Sequence, residues 1–294
     1  MEELRMLKDK TVCIVGLGLM GGSLGLALHG KCHRVLGVAR RPETVELAVS
    51  MGAVDEAAAE MSTLLPRADI AVLATPVRTI LALIPRVAQL MRPGTLLTDL
   101  GSTKTEIVAA MSVVRGDIDV IGGHPLCGRE VSGLEAARSD LYQNKVFVLT
   151  PLDRTSPVAV ALAQALVVSI GARPIAIQAD RHDRLVAAVS HLPYLQSAAL
   201  ATVAGAQAAA DSLTWELAAT GFRDTSRLAA SDVDMMLDIA MTNRANVAAL
   251  ARQAASWLNT MADALESSGD DALRSRLESA RRHILAYRAM RAST

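Results

Sequence analysis

Short apolar runs alternate with helix-like stretches through the first half of the chain, and this alternation narrows the fold more than any other feature. TVCIVG (11–16), RVLGVA (34–39), DIAVLAT (69–75), TLLTDLG (95–101), DVIGGH (119–124) and KVFVLT (145–150) are mostly continuous in apolar character. Strands buried on both faces of a parallel sheet read this way. Between them, 20–29, 42–51, 77–91, 103–114 and 132–138 read as helices. The alternation predicts a doubly wound α/β domain. One more helix and strand, 157–169 and 173–177, lead to Asp180, beyond which Ala-rich segments read as helix. The expected class is α/β, with a doubly wound parallel sheet over 1–178 and an all-helical domain over 179–294.

GLGLMGGS (16–23) joins the first strand to the first helix and sets Gly16, Gly18 and Gly21 in a G-x-G-x-x-G pattern. Gly16 suits a tight turn, Gly18 a close approach of backbone to a pyrophosphate, and Gly21 close helix packing. The helix N-terminus then offers free N–H groups to the anion. A dinucleotide site is expected here. The second strand ends GVARRPE, with Arg40 and Arg41 where a carboxylate would accept from ribose hydroxyls. Arginine favours a 2′-phosphate; a solvated basic turn is the alternative. The expected cofactor is NADP, with NAD as the second choice.

Ligands on such sheets sit beyond the carboxyl ends of the strands. Three of those ends carry Thr75-Pro76, Gly101-Ser102-Thr103-Lys104 and His124-Pro125. Thr75 joins the cofactor-facing set, and Thr103 with Glu106 forms a capping-box pattern. In GGHPLCGRE (122–130) two glycines precede His124 and a proline follows it. No helix begins there, so the histidine is a candidate to accept a proton or hydrogen bond near neutral pH. The glycines are expected to clear space beside it.

Lys+Arg and Asp+Glu both count 30, and aromatics make up 2%. A balanced charge and few aromatic platforms argue against nucleic acid or an anionic membrane as partner. The start, MEELRMLKDK, lacks the order of a secretory signal. Three widely spaced cysteines suggest neither a disulfide framework nor a metal site, so a cytoplasmic location is expected. Residues 185–210 carry no formal charge, yet His191, Pro193, two glutamines and many alanines dilute them too far for lipid. They are expected to be buried in a homodimer core.

GLGLMGGS, DLGSTKTEI, GGHPLCG, SHLP and GFRDTSR, in this order, resemble the prephenate/arogenate dehydrogenases of tyrosine biosynthesis. The resemblance runs from Val12 to about Leu250 and looks closest to short, monofunctional members. It implies a Rossmann-type domain followed by a helical dimerisation domain. It also implies hydride transfer from a cyclohexadienol to NAD(P)+, with loss of the ring carboxylate as CO2. It makes His124 the catalytic histidine, Ser102 the serine beside it, and His191 and Arg227 substrate-binding residues. The family phrase usually reads GGHPMAG, so Leu126 and Cys127 depart from it.

On residues alone, His191 reads as a core histidine two positions before a helix-kinking Pro193. Asp224 or Thr225 would cap a helix, with Arg223 and Arg227 on one face. His182 and Asp183 read as cap and surface residues, and His29, His33 and His283 have no chemical context. A β-hydroxyacid dehydrogenase or imine reductase, and a non-catalytic NADP-binding sensor, are the competing readings. The substrate is expected to be a small molecule.

Overall fold

The computed structural model describes residues 6–129, 131–267 and 269–292. Glu130 of the GGHPLCGRE phrase, the first five residues, Ser268 and the last two lie outside the described residues. Eight strands form one sheet: β1 (Thr11–Val15), β2 (Arg34–Val38), β3 (Glu56–Ala58), β4 (Ile70–Leu73), β5 (Leu96–Asp99), β6 (Asp119–Pro125), β7 (Val146–Pro151) and β8 (Arg173–Ala176). Their order is β3-β2-β1-β4-β5-β6-β7-β8. The order reverses direction at β1 and β4, and a crevice opens there beyond their carboxyl ends. The central strands bury essentially every side chain, from Val12 through Val15 and from Ile70 through Leu73, which is why they read as continuous apolar runs.

Helices α1 (Leu19–Leu28), α2 (Pro42–Ser50), α3 (Val77–Leu90), α4 (Thr105–Ser112) and α5 (Pro157–Ser169) cover the sheet. Two features differ from the expectation. First, β7 runs antiparallel to β6, pairing Gly123 with Leu149 and His124 with Val148; the other pairings in the sheet are parallel. Among the described residues no helix intervenes between β6 and β7, and a parallel return would need such a crossover. Second, 132–138 is irregular, with a bend at Gly133–Leu134 and a turn at Glu135–Ala136. Gly133 sits at φ +95°, outside helical space, and Leu134 packs where a side chain at Gly22 would stand. Arg138 N–H donates to Ser23 Oγ at 2.9 Å, and Tyr142 Oη–H to the Met20 carbonyl at 2.7 Å. Contacts to α1 replace a helix's own hydrogen bonds. The short β3 has no apolar run and was not expected from the sequence.

Helix α6 (Ala179–Val186), a π-helical turn (Ala187–His191) and α7 (Leu192–Ala210) follow one another without a break. Pro193 lies in the first turn of α7, where its missing N–H costs little beside the π turn. Helix α8 (Val233–Thr242) buries Met236 and Ile239 in the same cluster as Ile80 and Ile84 of α3. The chain divides into two compact units, the first ending at Arg244 and the second beginning at Ala245. The second contains most of α9 (Arg244–Glu266) and all of α10 (Asp270–Ala292). No helix among the described residues is long and apolar enough to cross a membrane.

Helix α1 lies so close to the loop after α2 that a Cβ at Gly25 would stand 2.0 Å from the Ala53 carbonyl oxygen. Gly25→Ala should therefore cost about 1–3 kcal/mol through overpacking. The urea midpoint should fall at unchanged slope.

Candidate active site

At the crevice, Gly16 has φ +107°, and a Cβ there would strike Thr75 Cγ2 at 2.7 Å. A Cβ at Gly21 would stand 1.9 Å from the Gly16 carbonyl oxygen, so α1 starts directly against the turn. A Cβ at Gly18 would meet nothing within 4 Å, leaving the backbone open at the helix N-terminus. Thr75 Oγ1 is buried without a hydrogen-bond partner among the described residues. An open glycine, a helix N-terminus lacking a side-chain cap and an unpaired buried hydroxyl fit a dinucleotide phosphate group. Arg40 and Arg41 are exposed at the end of β2.

Under the neighbouring strand ends lies a buried ion pair absent from the sequence expectations. Strands β5 and β6 pair only at Leu96–Asp119 and Leu97–Val120; beyond these residues side chains replace the ladder. Asp99 Oδ1 accepts from Gly123 N–H at 2.9 Å, and Asp99 Oδ2 accepts from Gly101 N–H at 2.7 Å and from Lys104 Nζ. Lys104 Nζ also donates to the Gly123 carbonyl at 2.6 Å. Both side chains are fully buried. Burial pulls Asp99 up and Lys104 down toward their neutral forms. The three partners of Asp99 are all donors, so the geometry stabilises the carboxylate.

The glycines before His124 serve this pair and its surroundings. A Cβ at Gly122 would stand 2.1 Å from Thr150 Oγ1 and 3.3 Å from Lys104 Cδ. At Gly123 it would stand 2.4 Å from the Asp99 carbonyl oxygen. At both positions the space that a side chain would fill is taken by the protein itself.

His124 Nδ1 lies 2.8 Å from His182 Nε2, with the rings edge to face. His182 Nδ1 lies 2.8 Å from Asp183 Oδ1. Both His182 and Asp183 are buried, not cap and surface residues. Asp183 instead caps α4, accepting from Lys104 N–H at 2.7 Å and Thr105 N–H at 2.9 Å. Burial raises its pKa, but the hydrogen bonds from His182, Thr105 and Lys104 hold it below the usual carboxylate value. Thr103 does not cap α4; its hydroxyl meets that of Thr242 at 2.9 Å. Thr242 already donates to the Asp238 carbonyl, so Thr103 is the donor. Asn243 Nδ2 donates to the Asp183 carbonyl at 2.8 Å and lies 3.2 Å from His191 Nδ1. His124, His182, Asp183, His191 and Asn243 thus form one connected cluster.

Burial, then the neighbouring His182, Lys104 and His191, hold the His124 pKa well below the usual imidazole range. Burial brings His191 down to about 4. Ser102 is half-buried, one residue before Thr103. Arg227 is exposed in a 3-10 turn (Arg227–Ala230), which Ser197 Oγ ties to α7 by accepting from Ala229 N–H at 2.8 Å. Asp224 and Thr225 lie inside the helix Thr220–Ser226 and do not cap it. Burial pushes the Cys127 thiol up to about 11, which leaves little thiolate at neutral pH. Among the described residues, no group of three or more His, Cys, Asp or Glu is placed to hold a metal.

The nucleotide-binding domain of prephenate dehydrogenase matches residues 24–176, and its dimerization domain matches 178–279. The chain belongs to the prephenate dehydrogenase family. A prephenate dehydrogenase of Bacillus subtilis is 32% identical over 82% of this chain, and the match takes in 66% of that relative, just under two thirds of its length. Synechocystis arogenate dehydrogenase superposes with a TM-score of 0.81 at 30% identity, covering 94% of this chain and 99% of that one. A prephenate dehydrogenase of A. aeolicus, in complex with hydroxyphenyl propionate and NAD+, superposes at 0.83 with 26% identity, covering 96% and 99%. Family membership makes the α/β class with a nucleotide-binding domain plain.

Two measurements test this site. Lys104→Met leaves the Asp99 charge buried and unpaired, and should cost about 3–5 kcal/mol of stability. His191, with its folded pKa lowered from 6.5 to about 4, binds a proton more readily in the unfolded chain. Its contribution is therefore full above pH 6.5 and is lost as the pH falls toward 4, by on the order of 3 kcal/mol. Urea midpoints across that window should fall with pH, and less steeply in His191→Asn.

Proposed function

We propose that this chain oxidatively decarboxylates prephenate or arogenate with a nicotinamide cofactor, giving 4-hydroxyphenylpyruvate or tyrosine. The observation that carries this is the joining of His124, at the end of β6, to the helical segment bearing His182 and His191. In the reaction the substrate's C4 hydroxyl loses its proton while hydride leaves C4, and the ring carboxylate departs as CO2. The electrons of the broken C–C bond complete the aromatic ring. Gly16, Gly18, Gly21 and Thr75 would hold the phosphates of a nicotinamide cofactor, which would supply the hydride acceptor.

His124 receives the hydroxyl proton, and its lowered pKa keeps it unprotonated at neutral pH. His191 accepts from Asn243 at Nδ1, which leaves its hydrogen on Nε2 as a donor for a substrate oxygen. Arg227 holds a substrate carboxylate, and Ser102 lies beside the reacting hydroxyl. Arg40 and Arg41 favour the 2′-phosphate of NADP over NAD. The domains are assigned as 1–178 for cofactor and 179–294 for substrate and dimer contacts.

A homodimer is supported by the match to a dimerization domain and by the faces of α7, which buries only Ser197 and exposes Val203 at 70%. Such a surface is a partner site. Light scattering at micromolar concentration should give twice the chain mass. Among the described residues all three cysteines are free, which suits a reducing cytoplasm.

Steady-state assays of both substrates with both cofactors test the reaction. His124→Asn should lower kcat by about 10²–10⁴-fold while sparing cofactor binding. NADP should give the higher kcat/KM, and Arg40→Asp should shift preference toward NAD. Arg227→Ala should raise KM far more than it lowers kcat. A lack of turnover on either substrate would overturn the reading.

A further inference from the structure

Asp183 accepts backbone N–H groups on both carboxylate oxygens, from Lys104 and Thr105. These donors belong to the N-terminus of α4, whose dipole also favours negative charge. The carboxylate is therefore an acceptor only, and His182 Nδ1, 2.8 Å away, must carry the hydrogen between them. A neutral His182 then has a bare Nε2. That atom faces His124 Nδ1 at 2.8 Å, so His124 Nδ1 must be the donor. Its own second nitrogen, Nε2, is left bare.

We propose that His182 and Asp183 are positioning residues that hold His124 in the tautomer whose Nε2 accepts from the substrate hydroxyl. The proposal rests on the reading of His124 as the proton acceptor. Neither residue touches substrate. The proton taken in the reaction sits on His124 Nε2 and returns to the ring oxygen once CO2 has left, while Nδ1–H continues to point at His182 and Asp183 remains ionised. The same carboxylate that caps α4 thus orients the ring at the end of β6.

Asp183→Asn tests the chain of inference, because an amide whose oxygen keeps the Thr105 half of the cap puts its nitrogen, a donor, opposite His182 Nδ1 at the cost of the Lys104 N–H bond. Donation to His182 Nδ1 would move the hydrogen of His182 to Nε2, and that of His124 from Nδ1 to Nε2. The wrong tautomer then meets the substrate. Loss of the corresponding carboxylate in a serine-protease triad lowers kcat by about 10⁴-fold through the same fault. Here kcat should fall at least about a hundredfold with little change in KM or NADP affinity.

The decisive readout is the 15N shift of His124 in the free protein at neutral pH. Wild type should show Nε2 in the range of a bare imidazole nitrogen, and Asp183→Asn should move it into the range of one bearing hydrogen. A hydrogen on His124 Nε2 in wild type overturns the proposal, even should the variant fail to fold. An unchanged tautomer in a folded variant also overturns it. The shift is read without substrate, so a tautomer that responds in a protein inactive on both substrates would sink the proposed reaction and leave the positioning role standing.

Discussion

The buried pair of Asp99 and Lys104 is the constraint on which the site depends. Strands β5 and β6 part after two paired residues, and the backbone of Gly123 would otherwise be left unsatisfied in the interior. An orphaned buried group costs about 1–3 kcal/mol. Asp99 takes the Gly123 N–H and Lys104 takes its carbonyl, so two side chains do the work of a missing ladder. Glycine at 122 and 123 then follows from steric need, and the residue after them is delivered to the sheet edge at a fixed height.

Fixing that edge would achieve little without a counterpart in the helical part of the first unit. Asp183 supplies it by capping α4, while Thr103 and Thr242 join their hydroxyls beside it. Helix α8 adds apolar cover through Met236 and Ile239 and an ion pair from Asp238 to Arg78 at 3.4 Å. The polar contacts set position and the apolar ones supply most of the favourable energy. The histidine cluster is therefore held from two sides.

Much of this architecture was legible in the sequence because its signals are local. Continuous apolar strands, the glycine turn after β1 and the alternation of elements depend on neighbours a few residues away. The histidine after two glycines stood out for the same reason. The antiparallel return of β7 did not, since an apolar strand carries no mark of its direction. His182 and Asp183 were read as surface residues because their partners lie 58 and about 80 positions away in the chain. Lys104 stood in the sequence only as one residue of a strand end, and only the folded sheet reveals the carboxylate beneath it. The Thr103–Glu106 capping pattern was misleading because a carboxylate from a distant helix reached the same N–H groups first.

The π turn at Ala187–His191 has a bearing on which length changes the molecule tolerates. Residues eight apart on an unbroken α-helix differ in direction by roughly 80°, so a regular helix would aim His191 away from the face that carries Asp183. The wider turn takes up much of that offset, and one asparagine at 243 can then reach both the Asp183 carbonyl and the His191 ring. The surplus residue works as a phase correction, held in a geometry that the polypeptide adopts rarely. Chain length between 183 and 191 is thus as much a part of the site as the side chains themselves. A lengthening by one residue would keep every histidine in the sequence and still turn His191 out of the cluster, whereas a shortening by one leaves seven residues on a regular helix, only about 20° from alignment.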